Sequence, residues 1–379
     1  MRYQASTILL LLLMVSSAMG QMPDTLKNDD FSISIRSIAF IKNNEYFNPI
    51  KTSDFIISTG LPWPVDKSDW IEGYTLTGFF LQPELVYTHN KVSLKGGVHL
   101  LKYSGETILK ARPVFSTSLK ISENTVLTIG SLNGSDSHRM YDPHFDKERI
   151  YTSYVEDGFQ VVTKREDIFN DTWLNWENYI FKGDTEREVF TFGESFRYKS
   201  PQIMDEFSIE LPLQFQFKHF GGQISDYPEP VTTFFNFAGG ARINFDLFNI
   251  KTAIEYTGFY NSVFPSREAN IINSGNASWL RVHVEKGNFS SVASYWHSRN
   301  FFAPNGNGIY SNVYDFSSEY IIPERELITE SVFFSLFPEQ FLNLLFGVDL
   351  YYDVWENRLD HAITLHLDFN KIFSLKSKR

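Results

Sequence analysis

The sequence predicts an all-β fold, a transmembrane antiparallel up-and-down β-barrel of about 16 strands. Three observations predict it. The first is alternation. From 207 to 218 the odd positions are Phe207, Ile209, Leu211, Leu213, Phe215 and Phe217, and the even ones are Ser208, Glu210, Pro212, Gln214, Gln216 and Lys218. Successive side chains on a strand point to opposite faces, so this stretch has one apolar and one polar face, which no helical period would collect. The second is length. Several alternating runs are roughly 11 to 15 residues long, against about 9 to 11 for a tilted bilayer-crossing strand and about 5 to 6 for a globular one. The third is the parity of the connections: those after the even strands are short, and the long ones follow strands one, five, nine, eleven and thirteen. Short turns at one end and long loops at the other are what membrane barrels show, and a soluble sandwich has no reason to sort its loops this way.

The N-terminus is set apart first. Arg2, the apolar run Ile8 to Val15 and the small residues before Gln21 read as a signal peptide over 1–20, cut after Gly20. The run is too short for a membrane anchor. With Cys 0, the chain has no acylation site, no disulfide framework and no thiolate metal site. Residues 21–379 show no linker or change of composition, so they read as a single barrel. A net charge of -11 argues against a nucleic-acid partner. Thirty-six Phe and nineteen Tyr are many for a soluble chain, whereas a barrel displays aromatics to lipid and at both interfaces.

In chain order, strand one covers about 32–42 and is followed by a long loop near 43–73. Strands two to five follow, to about 131, with tight turns at Thr88-His89-Asn90 and Ser122-Glu123-Asn124. A charged loop near 132–157 leads to strands six to nine, and a loop near 220–231 to strand ten. There Phe235, Phe237, Ala241, Ile243 and Phe245 oppose Asn236, Arg242, Asn244 and Asp246. Loops near 262–277 and 301–323 separate the remaining strands. In the last strand Ile363, Leu365, Leu367 and Phe369 oppose Thr364, His366, Asp368 and Asn370.

The signal peptide, the paired strands, the loop parity and an aromatic-containing last strand together resemble bacterial outer-membrane porin-like β-barrels. Met140-Tyr141-Asp142-Pro143, Trp173-Leu174-Asn175-Trp176 and Phe302-Ala303-Pro304-Asn305-Gly306 look like segments of the uncharacterised barrels common in Bacteroidota. The resemblance implies the cell outer membrane of a Gram-negative organism, with outer-membrane lipid as surroundings and other envelope proteins or a homo-oligomer as partners. The chain departs from the pattern at its end, where Phe373 is followed by Ser374 to Arg379 instead of closing the sequence.

On this reading the polar faces line a lumen. The candidate lumen charges are Lys95, Lys110, Arg112, Lys120, Arg242 and Arg281, facing Glu84, Glu210, Glu255, Asp246, Asp349 and Asp368. Sixteen strands leave room for an aqueous channel unless loops fold inward, and rings of charge tune its selectivity. The long loops carry Trp63, Trp70, Tyr141, Phe301 and Tyr310, aromatics that either stack on sugars or partners or fold the loops over one another.

No Gly-x-Ser-x-Gly elbow, Walker pattern or His-Glu-x-x-His motif is present. His138 and His144 with Asp136, Asp142 and Asp146 lack the spacing of a calcium loop and read as solvated. The expectation is therefore a chain that is not an enzyme, with no catalytic residues, no metal and no cofactor. Its function is then a porin-like channel for passive diffusion of small polar solutes. The alternative is a non-conducting subunit of a larger export, uptake or biogenesis complex, for which the bulky inward candidates Phe80, Leu101 and Phe333 speak.

Overall fold

A computed structural model describes residues 30–47, 72–203, 207–222, 231–266, 272–312, 324–337 and 341–375, together with 224, 226 and 322. The segment 1–20, Trp63 and Trp70 lie outside the described residues. The strands are β1 Asp30–Phe47, β2 Glu72–His89, β3 Val92–Tyr103, β4 Lys110–Lys120, β5 Thr125–Ser131, β6 Asp157–Lys164, β7 Ile168–Asn178 and β8 Glu188–Lys199. They continue as β9 Phe207–Gly221, β10 Thr232–Leu247, β11 Ile250–Phe264, β12 Ser274–Lys286, β13 Phe289–Arg299, β14 Glu324–Leu336, β15 Leu342–Asp353 and β16 Arg358–Ser374. Each pairs antiparallel with its sequence neighbours, and β1 pairs with β16 from Ser32↔Ser374 to Glu45↔His361, which closes the barrel. Closure leaves no unpaired edge on these long apolar-faced strands.

Backbone chemistry holds the short turns. Phe248 and Asn249, the two residues between β10 and β11, have φ 52 and 62, the paired positive values of the tightest hairpin. Gly287 at φ 58 opens the β12–β13 turn in the same region. The short turns and both ends of the barrel chain, Asp30 and Ser374, share one end, and by the usual asymmetry of such barrels that end faces the periplasm.

Alternation sorts the wall as the sequence implies. In β9 Ser208, Pro212, Gln214, Gln216 and Lys218 are buried on the lumen side, while Leu211 and Leu213 are exposed outward. A belt of exposed Phe, Leu, Ile and Val surrounds the barrel, including Phe79, Leu85, Phe115, Ile243, Leu280, Ile328, Phe346 and Leu365.

The lumen is not empty. Residues 132–156, between β5 and β6, and residues 300–312, after β13, fold inward instead of standing above the rim. Tyr141, Phe301, Ala303, Ile309 and Tyr310 pack with the inward wall residues Phe259, Ala277, Trp279, Trp296 and Leu327 as one buried cluster. On the opposite wall Tyr151 and Tyr154 pack with Ile38, Phe40, Phe80 and Leu101. Leu132, Met140 and Phe145 pack on Trp173. The two loops are tied to each other as well, through Asp146 N–H to the Asn305 carbonyl at 2.7 Å and Asn307 N–H to the Asp142 carbonyl at 2.8 Å. Together they plug the external half of the barrel.

Candidate functional site

The twelve candidate lumen charges all lie on inward positions, but most are engaged with neighbours. Glu255 accepts from Tyr141 OH at 2.5 Å and lies 2.7 Å from the Arg281 guanidinium, 3.2 Å from His283 and 3.4 Å from Arg242. Asp349 pairs with Lys42 at 3.2 Å, Asp368 with Arg36 at 3.6 Å, and Glu210 with Arg197 at 3.6 Å. Arg112 pairs with Asp157, and Lys120 with Glu123 at 2.6 Å. Glu84 accepts from Gln82 at 3.2 Å, and Lys110 lies 5.0 Å from the centre of the Tyr103 ring. Lys95 lies on the inward face of β3 with His99 and Leu101, and Asp246 sits at the periplasmic mouth. Tyr141, Phe301 and Tyr310, expected on external loops, are buried inside the barrel, because the inward wall of β11–β13 offers them an apolar surface that water would not cover.

The plug is anchored by ionisable groups. His138 is fully buried between two carboxylates, with Nε2 2.6 Å from Glu156 and Nδ1 2.9 Å from Asp171, and its ring stacks on Trp173 at 3.8 Å. Burial opposes its charge, but the two carboxylates outweigh burial and raise its pKa to about 9. The imidazolium is thus the native form at neutral pH. His144 has no such partner, and burial lowers it to about 3, so it is neutral. Glu148 receives Asn44 Nδ2 at 2.7 Å and a hydrogen bond from Tyr74 OH. Burial, with Asp146 beside it, raises its pKa to about 7.

These two shifts give a pH dependence of one sign. Glu148 is raised from its ordinary 4.5, so the docked plug holds a proton there that the released loop gives up; docking weakens as pH rises from about 4.5 through about 7. His138 is raised from 6.5, so its contribution is whole below about 6.5 and is lost as pH passes about 9. The hydrogen-exchange protection of residues 132–156, relative to the intrinsic exchange rate at each pH, is expected to fall on going from pH 5 to pH 8, and Glu148→Gln to flatten that fall. Protection independent of pH in the wild type would contradict it.

A different set of polar groups faces outward. Asn43 and Glu45 lie on the lipid-facing side of β1, in parity with Ile33, Ile35 and Ile41, close to its external end. Asn43 is paired across β1–β2 with Thr75, and Glu45 across β1–β16 with His361. Asn43 Nδ2 donates to Glu45 Oε1 and to Thr75 Oγ1, both at 2.9 Å. Directly opposed residues bring their Cβ atoms to about 4.5–5.5 Å, so Glu45 and His361 stand side by side on the outward face. Glu45, Thr75 and His361 are all exposed. The result is a row of hydroxyl, amide, carboxylate and imidazole above an apolar belt.

Gly73 makes room for this row. Its φ is +82, and a Cβ there would lie 2.8 Å from the Asn44 carbonyl oxygen and 2.9 Å from Glu45 Oε2. A side chain at 73 would be strained by the backbone and would displace the carboxylate. Gly73→Ala is expected to leave the barrel folded, by its heat-shifted gel mobility, and to destroy the geometry around Glu45.

The model of the lipid A 3'-O-deacylase-type family matches residues 23–378. The chain belongs to this family. No curated protein matches it. Among solved structures, OccK8 (OprE) of Pseudomonas aeruginosa is similar at 11% identity and TM-score 0.51, covering 92% of this chain and 99% of that one. An anion-selective porin from Comamonas acidovorans aligns at 7% identity and TM-score 0.49, over 91% of this chain and 100% of that one. A loop-deletion mutant of OmpT from Vibrio cholerae aligns at 9% and 0.48, over 90% and 99%. The likeness to OccK8 shows the fold alone, a porin-like closed barrel; the closed barrel and its exposed apolar belt place the chain in the outer membrane.

Membership of the lipid A 3'-O-deacylase-type family, an enzyme family, overturns the expectation that the chain is not an enzyme. That expectation rested on contiguous motifs. A site assembled across strand pairs has none, since Thr75, Asn43, Glu45 and His361 meet through register alone. Sequence reasoning also began the first long loop at 43, whereas β1 runs on to Phe47. Asn43 and Glu45 out, Asn44 and Tyr46 in, hide the period because three of the four are polar. The signal in the sequence was the acid and amide on the parity of Ile35 and Ile41.

Proposed function

We propose that this chain hydrolyses an acyl ester of a lipid A-type glycolipid at the external rim of β16, β1 and β2. The observation that carries the reading is the row Thr75–Asn43–Glu45–His361 on the lipid-facing surface of a member of this family. Such a substrate presents its ester linkages at the level of the outer interface, with its chains along the apolar belt below. His361 takes a proton from a water as the water oxygen attacks the ester carbonyl carbon, and Glu45 stabilises the resulting imidazolium. The Thr75 hydroxyl, whose oxygen already accepts from Asn43, donates a hydrogen bond to the developing oxyanion and keeps its proton. Collapse breaks the bond to the sugar oxygen, which takes the proton back from His361, leaving a fatty acid and a free sugar hydroxyl. Asn43 holds Glu45 and Thr75 in place through its two N–H bonds.

The test is hydrolysis of lipid A in bilayers made up in ¹⁸O-water. The reading expects a released fatty acid carrying one heavy oxygen. Intact lipid A after prolonged incubation with folded protein would overturn it.

The diffusion channel remains the second reading, and one observation favours it. Beneath the plug lies a vestibule of ≈ 950 Å³, bordered by Arg165, Lys199, Glu210, Arg242, Asp246 and Glu285 at the periplasmic mouth. It becomes a through-path only when residues 132–156 and 300–312 leave the lumen. Single-channel recording in a planar bilayer decides it. Stable steps from wild-type protein support a channel, and silence from folded barrel removes it.

A further inference from the structure

The outward row sits where the wall is irregular. Between Asn44↔Tyr74 and Phe47↔Glu72 the β1–β2 register shifts, so two residues of β1, Glu45 and Tyr46, stand against the single Gly73 of β2. Such a bulge bends the strand, re-aims its side chains and leaves one residue outside the ladder. On the other side, the β1–β16 pairing reaches its last pair at Glu45↔His361. The segment that carries Glu45 is therefore held by little of the sheet that holds β1 elsewhere, and segments held in this way open readily. Something else must fix it if Asn43, Glu45 and Thr75 are to keep one geometry.

That support comes from inside the barrel. Glu148, buried in the plug, accepts hydrogen bonds from Asn44 Nδ2 at 2.7 Å, from Tyr46 OH at 3.4 Å and from Tyr74 OH. These three donors alternate with the outward row. Asn44 lies between Asn43 and Glu45, Tyr46 follows Glu45, and Tyr74 precedes Thr75. Successive side chains on a strand point to opposite faces, so a group that holds these three from the lumen fixes the backbone from which the row projects. Glu148 is itself anchored. Its N–H donates to the Asp146 carboxylate at 2.9 Å, its carbonyl accepts from Tyr151 N–H at 2.8 Å, and Asp146 N–H is tied to the Asn305 carbonyl. Tyr46 also meets the Tyr351 ring edge to face at 5.4 Å, which stiffens the same corner.

We propose that Glu148 is a positioning residue for the rim site and couples it to the plug, so that the outward row is in order only while residues 132–156 are seated in the lumen. The inference rests on the hydrolase reading for the reaction it controls. With the plug docked, the bulge is braced from inside and Glu45 stands opposite His361. When the plug leaves, Asn44, Tyr46 and Tyr74 lose their common acceptor, and the external ends of β1 and β2 are free to move. A displacement of about 1 Å is enough to slow a positioned reaction by about two orders of magnitude. An open lumen and an active rim thus exclude each other. The coupling is reciprocal, so a ligand held by the ordered rim favours the seated plug by the same factor.

The experiment uses the whole barrel in bilayers and reads two quantities. Amide-exchange protection of residues 43–47 and 73–75 is compared with that of 207–218 in β9, and turnover of lipid A gives kcat and KM. In Glu148→Ala, protection of the two rim segments is expected to fall about tenfold or more while that of 207–218 holds. There kcat is expected to fall about ten- to a hundredfold with KM little altered, since the apolar belt is untouched. Glu148→Gln, which keeps an oxygen for Asn44 Nδ2, is expected to recover most of both losses. Tyr74→Phe removes one donor from the wall and leaves the plug's own residues intact. It is expected to lower kcat about threefold alone and to add nothing to Glu148→Ala in the double variant. Wild-type protection of 43–47 in Glu148→Ala, a rate in Glu148→Gln as low as in Glu148→Ala, or additive losses in the double variant overturns the proposal. Exchange is measured without substrate, so the two readings fail separately. Rim protection lost in Glu148→Ala, from a wild type that hydrolyses nothing, keeps the brace and removes the hydrolase. A wild-type rate in Glu148→Ala keeps the hydrolase and removes the coupling.

Discussion

His361→Gln is expected to lower ester hydrolysis by about two to four orders of magnitude, the usual contribution of a positioned general base. Glutamine keeps the size and a polar tip but cannot accept and return a proton. Glu45→Gln is expected to cost less, because the imidazole remains and loses only the charge that stabilises its protonated form. Both side chains face away from the lumen at the external end of their strands, so neither change touches the plug or the wall's packing. Wild-type rates from folded His361→Gln barrels would remove the imidazole from the chemistry.

The second large effect concerns the plug. His138→Leu leaves Glu156 and Asp171, at 1% and 0% side-chain exposure, facing an apolar side chain where an imidazolium stood. Breaking one side of a buried ionic cluster costs about 3–5 kcal/mol, because the remaining charges stay out of water without a partner. Arg149, 3.4 Å from Glu156, and Gln160, which donates to Asp171 at 2.9 Å, compensate only in part. The barrel's ladders do not depend on His138, so β-sheet content and gel mobility are expected to persist. Residues 132–156 are expected to become sensitive to protease, and conductance to appear if those residues clear the lumen. Replacing both acids as well, with Glu156→Gln and Asp171→Asn, is expected to recover much of the loss. A protease-resistant plug in His138→Leu would show that the aromatic clusters hold the loop without the ionic cluster.

The wall was legible because its physics is local. Phe207 to Lys218 alternates without a fault, and the structure places that stretch in β9 with the polar side inward. The plug was less legible, although a hint was present. Ala277, Trp279 and Trp296 lie on inward positions of β12 and β13, where a water-filled lumen would call for polar groups. These apolar inward residues are covered by Tyr141, Phe301 and Tyr310, which sequence reasoning placed outside because loop and wall are separated by up to about a hundred and fifty positions. His138 read as solvated for the same reason: its partner Asp171 lies 33 residues away on β7.

The rim site was hidden more deeply. Four residues from three strands, at positions 43, 45, 75 and 361, meet only after β1 has paired with both β2 and β16. Barrel closure itself makes the Glu45–His361 pair, and no local pattern announces which residues of the first and last strands will face each other.

The most direct test of the rim site is the mass spectrum of lipid A extracted from outer membranes that carry wild-type protein or its Thr75→Ala variant, at equal amounts of folded barrel. Threonine 75 touches neither the plug nor the lumen, so a difference between the two spectra reports on the outward row alone. The account predicts lipid A lacking one ester-linked chain in the wild-type membranes and largely intact lipid A with Thr75→Ala. Identical lipid A in both would contradict it.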